Sequence, residues 1–277
     1  MMESAYSPKI LSVPPSTRSS NFIKLINILG LLLSVALIGI GIWLASRHGD
    51  CEKSLRAPVF VIAIFFLIVS ILGLFGASSA FVPLLYTYLV LMLMILLILA
   101  GFIIFIFVVT AQGGGYPVAG QQFQEYTLDD YSPFIRHKLN NPTNWVHIQS
   151  CIESSNNCDE LNNIQSAADY YNSDLNPIQS GCCRPPTECG YTIVSPSNFD
   201  TSTGSNSSNP DCLTYSNNAS IKCYNCQSCK GGAAQEIKRD GRILGIIFVV
   251  IFFVLVLVYL VGCVAGRTAS REHYGDV

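Results

Sequence analysis

Residues 83–110 read PLLYTYLVLMLMILLILAGFIIFIFVVT and carry no charged side chain. As a helix, this run would be about 42 Å long at 1.5 Å per residue, whereas the hydrocarbon core of a membrane is about 30 Å thick. We therefore predict a transmembrane helix that either tilts or continues as a helix beyond the bilayer.

Three further apolar runs flank this segment, at residues 22–44, 58–76 and 243–264. Within the four runs only Lys24 is charged, and its long side chain lies where it can reach the membrane surface. The first run is longer than the core of a cleaved signal peptide and follows a polar leader, which favours a retained anchor. The sequence predicts an all-α membrane protein with four transmembrane helices in two hairpins.

The composition excludes several classes of function. Hydrophobic residues make up 50% of the 277-residue chain and charged residues 12%, against about 25% charged in soluble domains. The net charge of -2 and the scattered basic residues give no nucleic-acid footprint. Phosphate-loop, G-x-S-x-G and H-E-x-x-H motifs do not occur, so we expect no enzyme activity, no cofactor, no metal and no small-molecule substrate.

The polar segment at residues 111–242, which we call the large loop, holds nine of the eleven cysteines. Such clustering predicts disulfides formed in an oxidising compartment. An odd number leaves one thiol over, and Cys51, in the short loop between the first two spans, is the expected tenth partner. A free thiol or an intermolecular bridge is the alternative. The loop cysteines are Cys151, Cys158, Cys182, Cys183, Cys189, Cys212, Cys223, Cys226 and Cys229.

The cysteines and two N-glycosylation sequons, at Asn206 and Asn218, place the large loop outside the cell. Basic residues on the two sides of the first span balance, so charge alone gives no orientation. With four spans, both termini are then cytosolic. The predicted segments are a cytosolic stretch 1–21, span 22–44, small extracellular loop 45–57, span 58–76, cytosolic turn 77–82, span 83–110, extracellular large loop 111–242, span 243–264 and cytosolic tail 265–277.

Helices are expected inside the large loop. Ser132 is a predicted N-cap with Pro133 at the first helical position. A second helix is predicted to align Leu161, Ile164, Ala168 and Tyr171 on one face. After Cys229 the chain passes two glycines and is predicted to run as a helix into the fourth span.

Residues 187–222, which we call the stapled segment, are mostly polar and lie between cysteines. The part at 196–218 has few apolar residues and cannot order itself without such staples. A polar segment held on a fixed scaffold is the arrangement expected of a binding surface.

Cys182 and Cys183 are adjacent, so bridging them to each other would strain a small ring, and each is predicted to reach a distant partner. Gly181 permits unusual backbone angles before them, and Pro185 and Pro186 stiffen the chain after them. A zinc or iron–sulfur site at the Cys223-x-x-Cys226-x-x-Cys229 spacing is an alternative, but it needs a fourth thiolate and a reducing compartment.

Inside the spans, pairs of small residues four apart predict close helix contacts: Gly30 with Ser34, Gly73 with Ala77, and Gly262 with Gly266. Asn27 is predicted to hydrogen-bond a neighbouring helix. The spans lack the mid-membrane charges of a transporter.

The order of spans and loops resembles the tetraspanin family over nearly the whole chain. Gly181, Cys182, Cys183, Arg184, Pro185 and Pro186 look like the Gly-Cys-Cys-Lys/Arg-Pro signature of plant tetraspanins, and Cys51 matches that group's first-loop cysteine. Animal members carry Cys-Cys-Gly instead, so partners known from the animal branch transfer poorly.

This resemblance implies a scaffold, not an enzyme, that clusters other tetraspanins, membrane receptors and lipids in the plasma membrane. It further implies a role in cell–cell communication and differentiation. Cys263, near the cytosolic end of the fourth span, is a candidate for palmitoylation, with a plain apolar packing role as the alternative. A cell-surface receptor whose large loop binds an extracellular ligand is the competing function, and ion conduction is a third.

Overall fold

The structure is a computed structural model that describes residues 17–46, 50–78, 82–204 and 208–275. Long helices dominate it, separated by small elements between the third and the last of them. The elements are α1 Thr17–Ser46, α2 Asp50–Ser78, α3 Val82–Val109, β1 Tyr116–Pro117, β2 Gln124–Glu125, α4 Pro133–Asn140, α5 Pro142–Ser154, α6 Ala167–Tyr171, α7 Pro177–Cys182, β3 Thr192–Ser195, β4 Asn198–Asp200, α8 Pro210–Thr214 and α9 Gln227–Gly275.

Three of the helices contain apolar stretches long enough to cross a membrane, Lys24–Trp43, Thr87–Val109 and a stretch within Gln227–Val264, and α2 contains a shorter one at Val59–Phe75. The helical fold predicted from the four apolar runs is therefore confirmed. Because α3 ends at Val109, the long third run does not continue as a helix into the polar segment after it.

The chain forms two compact units. The first comprises α1, most of α2 and α3, and the C-terminal part of α9. The second comprises Ile103–Ile247 together with Gly49–Ser54.

In the first unit, helices approach closely where the sequence supplies glycine. A Cβ atom built on Gly73 of α2 would lie 2.0 Å from the Asn27 side-chain oxygen of α1, and one on Gly30 would lie 2.5 Å from the Ser70 hydroxyl. Asn27 also hydrogen-bonds the Tyr88 side chain of α3, as predicted for a buried amide in a membrane helix. The glycines thus admit a buried polar contact between helices.

A similar approach joins α3 to α9, where a Cβ atom on Gly262 would lie 2.9 Å from Leu89. A small apolar core of Tyr88, Met92 and Val258 lies beside it. Ser34 is buried and donates its hydroxyl to the Leu31 carbonyl oxygen at 2.7 Å. The side chains of Ala77 and Gly266, the other partners of the predicted pairs, lie outside the described residues.

The second unit has an aromatic and disulfide-rich core. Two antiparallel pairs of short strands, β1 with β2 and β3 with β4, flank it. The residues that are almost completely buried in it are Tyr131, Tyr170, Phe123, Leu128, Leu139, Leu161, Cys182, Cys183, Cys189, Cys223, Cys226 and Cys229. Half of this set is cystine, so covalent cross-links take the place of the larger apolar core of a soluble domain.

α4 begins at Pro133 after Ser132, as predicted, although the serine hydroxyl makes no capping bond. The second predicted helix is wrong. A 3-10 turn at Asp159–Asn163 contains Leu161 and ends before Ile164, and α6 starts anew at Ala167. The register therefore changes: Tyr170 is buried, whereas Tyr171 and Ala168 are exposed.

The last helix begins earlier than predicted. α9 starts at Gln227, so Cys229 and the glycines at 231 and 232 lie within it. A Cβ atom on Gly232 would lie 2.2 Å from the Pro177 carbonyl oxygen, and one on Gly231 2.8 Å from the backbone of Tyr126. These glycines let other segments pack against the helix backbone, and they do not interrupt the helix.

Replacing Gly73 by alanine tests the contact between α1 and α2. The added methyl group would overlap the buried Asn27 amide, and we expect a loss of about 1–3 kcal/mol in stability, as is typical of overpacking. Thermal unfolding of the purified full-length protein measures it. Gly101→Ala in α3 is the matched control, because a methyl group added there would have no neighbour within 4 Å. An equal loss of stability in both variants would contradict the close contact between Gly73 and Asn27.

Candidate functional site in the large loop

Two disulfides meet at the adjacent cysteines 182 and 183. Cys182 bonds Cys229 in the first turn of α9, with an S–S distance of 1.99 Å, and Cys183 bonds Cys158 at 1.95 Å. The partners are 47 and 25 residues away along the chain. We call these four residues the cysteine junction. It ties α7 to α9 on one side and to the turn after α5 on the other.

Residue 181 must be glycine because the cysteine junction leaves no room for a side chain there. A Cβ atom there would lie 2.4 Å from the Ser228 carbonyl oxygen of α9. The Ser228 hydroxyl donates to the Gly181 carbonyl oxygen at 3.1 Å, which fixes the close approach. The backbone freedom that the sequence allows at Gly181 is not used, because the described glycines with positive φ are Gly113, Gly120 and Gly190.

The next residue of the signature, Arg184, forms a buried ion pair. Its guanidinium Nη1 donates to Glu125 Oε1 of β2 at 2.8 Å, and the two side chains are only 3% and 8% exposed. The guanidinium also lies 4.4 Å from the centroid of the Phe123 ring. Removing one member of such a pair typically costs about 3–5 kcal/mol, because it leaves an uncompensated buried charge.

Glu125 is held from a second direction. Its Oε1 accepts the Thr187 backbone N–H at 2.8 Å, and its Oε2 accepts the Thr187 hydroxyl at 3.0 Å. Pro186 lies at the start of this 3-10 turn, Thr187–Cys189, and supplies the rigid entry that the sequence predicts for the two prolines. The carboxylate therefore joins the junction to the start of the stapled segment.

Aromatic side chains enclose the ion pair. The rings of Tyr170 and Phe123 meet edge to face with centroids 5.5 Å apart. Burial raises the pKa of Tyr170 to about 12, although the Arg184 guanidinium opposes the rise. Burial and the carboxylates of Glu125 and Glu188 likewise raise the pKa of Tyr116 to about 12. Both phenols therefore remain neutral at physiological pH.

The stapled segment has its own cross-link. Cys189 bonds Cys212 with an S–S distance of 1.99 Å. Next to this bridge, the buried carboxylate of Asp211 accepts the backbone N–H groups of Gln227 at 2.8 Å and Ser228 at 2.9 Å. A carboxylate at this position also complements the positive end of the helix dipole of α9. The segment is thus anchored to the start of the last helix.

Within the stapled segment, side chains hydrogen-bond backbone groups that a further β-strand would otherwise pair. Asn217 accepts the Phe199 N–H at 2.9 Å and donates to the Phe199 carbonyl oxygen at 2.8 Å, as a neighbouring strand would. Lys222, at φ 38°, donates to the Ser197 carbonyl oxygen at 2.5 Å, and burial lowers its pKa. These contacts order a stretch whose composition predicts little structure.

Three large apolar side chains of this ordered segment are exposed, and Ile221 is the least exposed of them. Leu213 of α8 is 91% exposed and Val194 of β3 is 73% exposed. Their neighbours Cys212 and Ile193 belong to or pack against the interior, so the backbone at these positions is fixed. Because the backbone beneath them is already ordered, these side chains can contact a partner with little further loss of conformational entropy.

The remaining predicted sites have different outcomes. Cys223 and Cys226 bond each other, and Cys229 is used in the junction, so no thiolate at this spacing is left for a metal. Across the described residues, no cluster of three His, Cys, Asp or Glu side chains could hold a metal ion. Cys263 is a free, half-buried thiol.

The two predicted glycosylation sites and the cysteines at 51 and 151 are the remaining predicted sites. Asn218 is exposed, whereas Asn206 and the side chain of Cys51 lie outside the described residues. Cys151 is disulfide-bonded.

Sequence reasoning missed Glu125 and Asp211. Glu125 lies 59 residues from Arg184 along the chain, in a two-residue strand. For Asp211 a signal exists: Asn209-Pro210-Asp211 has the form of a helix start, and it predicts α8. It does not predict that the carboxylate caps α9.

Gly181→Ala tests the junction. The methyl group would meet a backbone oxygen that a disulfide holds in place, so we expect a loss of about 1–3 kcal/mol in the stability of the large loop. Thermal loss of the near-ultraviolet circular dichroism of the full-length protein measures it. Gly114→Ala is the control, since the space around its Cα atom is open and an added methyl group would meet nothing within 4 Å. Equal melting curves for Gly181→Ala and the wild type would refute the role of Gly181.

Comparison with known proteins agrees with this architecture. The Tetraspanin family pattern matches residues 20–267. The chain is 41% identical to Tetraspanin-10 of Arabidopsis thaliana, over 93% of this chain and 89% of that protein. It is 39% identical to Protein TORNADO 2 of the same plant, over 92% of this chain and 95% of that protein. No solved structure matches the chain at a significant level. With four apolar helical segments, a disulfide-linked large loop and these relatives, the chain belongs to the tetraspanin family.

Proposed function

We propose that this protein clusters partner membrane proteins, including other tetraspanins and receptors, and that it recognises them through the stapled segment. Members of the family are generally non-enzymatic membrane scaffolds. The observation that carries the proposal is the exposure of Leu213 and Val194 on a segment fixed by a disulfide, a carboxylate cap and buried hydrogen bonds. A preordered surface of this kind loses little conformational entropy on binding.

We further propose that the large loop is extracellular, that both termini are cytosolic and that the protein resides in the plasma membrane. The disulfides of the large loop support an oxidising environment for it. A role in cell–cell communication and differentiation is part of the proposal, and it rests on the family resemblance.

Cys51 is proposed as the disulfide partner of Cys151. Cys151 is disulfide-bonded, and the eight other cysteines of the large loop bond each other. Gly49–Ser54 also belongs to the same compact unit as the large loop. Such a bridge would tie the first outer loop to α5.

Serine substitutions at the two most exposed apolar residues of the stapled segment test the recognition surface. In intact membranes carrying the Leu213→Ser/Val194→Ser double variant, we expect the yield of crosslinked partner membrane proteins to fall at least tenfold. A tenfold loss of affinity corresponds to about 1.4 kcal/mol of binding free energy. Quantitative mass spectrometry after crosslinking measures it. Val146→Ser is the control, because Val146 is 62% exposed but lies in α5, outside the stapled segment. An unchanged yield of crosslinked partners in the double variant would refute the role of this surface in recognition. A soluble ligand as the main crosslinked product would favour the competing function of a cell-surface receptor.

Peptide mapping without reduction tests the proposed bridge. We expect a fragment that joins the peptides of Cys51 and Cys151, and a free Cys151 thiol in the Cys51→Ser variant. A free Cys51 thiol in the wild type would contradict the pairing. The same digest reports whether Asn206 and Asn218 carry glycans and whether Cys263 is acylated, modifications that we include in the proposal.

A further inference from the structure

α4 presents an unusual exposed face to the membrane end of the large loop. Phe134, His137 and Lys138 share this face at helical spacing, whereas Ile135 and Leu139 point into the core. The helix contains three basic side chains and no acidic one. Phe134 is 46% exposed, although it is a large apolar residue.

The position of this face relative to the bilayer follows from α3 and α9. A Cβ atom on Gly241 of α9 would lie 2.9 Å from the side chain of Thr110, which follows α3. These two residues therefore lie at the same depth relative to the membrane. The apolar stretch of α3 ends at Val109, and the charged residues Arg239 and Asp240 precede Gly241 in α9. The edge of the hydrocarbon core therefore lies near Thr110 and Gly241.

Phe134 reaches below that edge. Its ring packs edge to face on the ring of Phe105, with centroids 5.2 Å apart. Phe105 precedes Thr110 by five residues, about 7 Å along the helix, and side chains of a helix lean toward its N-terminus, which here is deeper in the membrane. The first turn of α4 therefore lies in the interface between hydrocarbon and headgroups.

Among the described residues, the basic side chains on this face have no carboxylate partner. Arg136, on the side of the helix, pairs with Asp129 at 2.9 Å. Lys138 Nζ lies 5.8 Å from the centroid of the Phe134 ring, and within the described part of the chain neither Lys138 nor His137 has an acidic partner. A cation beside an aromatic ring at headgroup depth is complementary to a lipid phosphate or carboxylate.

We propose that the Phe134–His137–Lys138 face of α4 binds anionic lipid headgroups in the leaflet that adjoins the large loop, with Lys138 at the negatively charged group. Phe134 inserts at the edge of the hydrocarbon, and the Lys138 ammonium group contacts the headgroups. This contact would hold the large loop at a fixed height and orientation on the membrane.

Quenching by brominated lipids tests the insertion. The full-length protein is reconstituted in nanodiscs as Phe134→Trp, in a background in which Trp43 and Trp145 are replaced by phenylalanine. We expect strong quenching by lipids brominated near the headgroup end of the chain. Leu213→Trp is the matched control: it lies beside the start of α9, about 20 Å along the helix from Gly241, and should not be quenched. Equal, weak quenching of the two tryptophans would overturn the proposal.

The charge requirement is tested with brominated phosphatidylserine against brominated phosphatidylcholine. One cation near an anionic surface corresponds to about a fivefold preference, so Lys138→Gln should lower the phosphatidylserine preference about fivefold, and Lys138→Arg should retain it. The same preference in Lys138→Gln and the wild type would overturn the anionic site.

Should the tryptophan variant lose its native disulfides, amide hydrogen exchange of the wild-type protein gives an independent test. Slower exchange of the amides of residues 134–140 in nanodiscs with phosphatidylserine than in phosphatidylcholine alone supports the proposal, and identical exchange overturns it.

Discussion

The large loop depends on one covalent constraint: two neighbouring cysteines bond in two directions. Cys182 holds α7 against the first turn of α9, and Cys183 holds the same helix against the turn after α5. Because α7 is short, these bonds fix its position and orientation almost completely. Close contacts that would otherwise be unfavourable then become possible, such as the approach of Gly181 to the Ser228 carbonyl oxygen. The buried Arg184–Glu125 ion pair lies next to this fixed point.

This arrangement gives five of the six residues of the plant tetraspanin signature a physical role. The glycine provides space, the cysteines provide the two cross-links, the arginine neutralises a buried carboxylate, and Pro186 opens the turn that leads into the stapled segment. The signature therefore builds a scaffold, and the stapled segment presents side chains on it. Buried scaffold and exposed surface are thus supplied by different residues, so the surface residues can change without loss of the fold.

How far the sequence predicts this structure varies with the kind of signal. Apolar runs predict the long helices, because lipid allows few alternatives to a helix of about 20 residues. Ser132 and Pro133 predict the start of α4. The sequence does not predict that the run from Leu161 to Tyr171 breaks, because the disulfide at Cys158 and the new start at Ser166 override its helical spacing. Glu125 could not be found either, since its role depends on a contact across 59 residues.

The most direct test compares two pairs of cysteine-to-serine substitutions by amide hydrogen exchange of the full-length protein. If the cysteine junction organises the whole large loop, removing Cys182 and Cys229 together should increase exchange from α4 through the stapled segment to the start of α9. Removing Cys189 and Cys212 should increase it only within the stapled segment. The account would be contradicted if loss of the Cys182–Cys229 bridge increased exchange in α7 alone, or if the two double variants gave the same pattern.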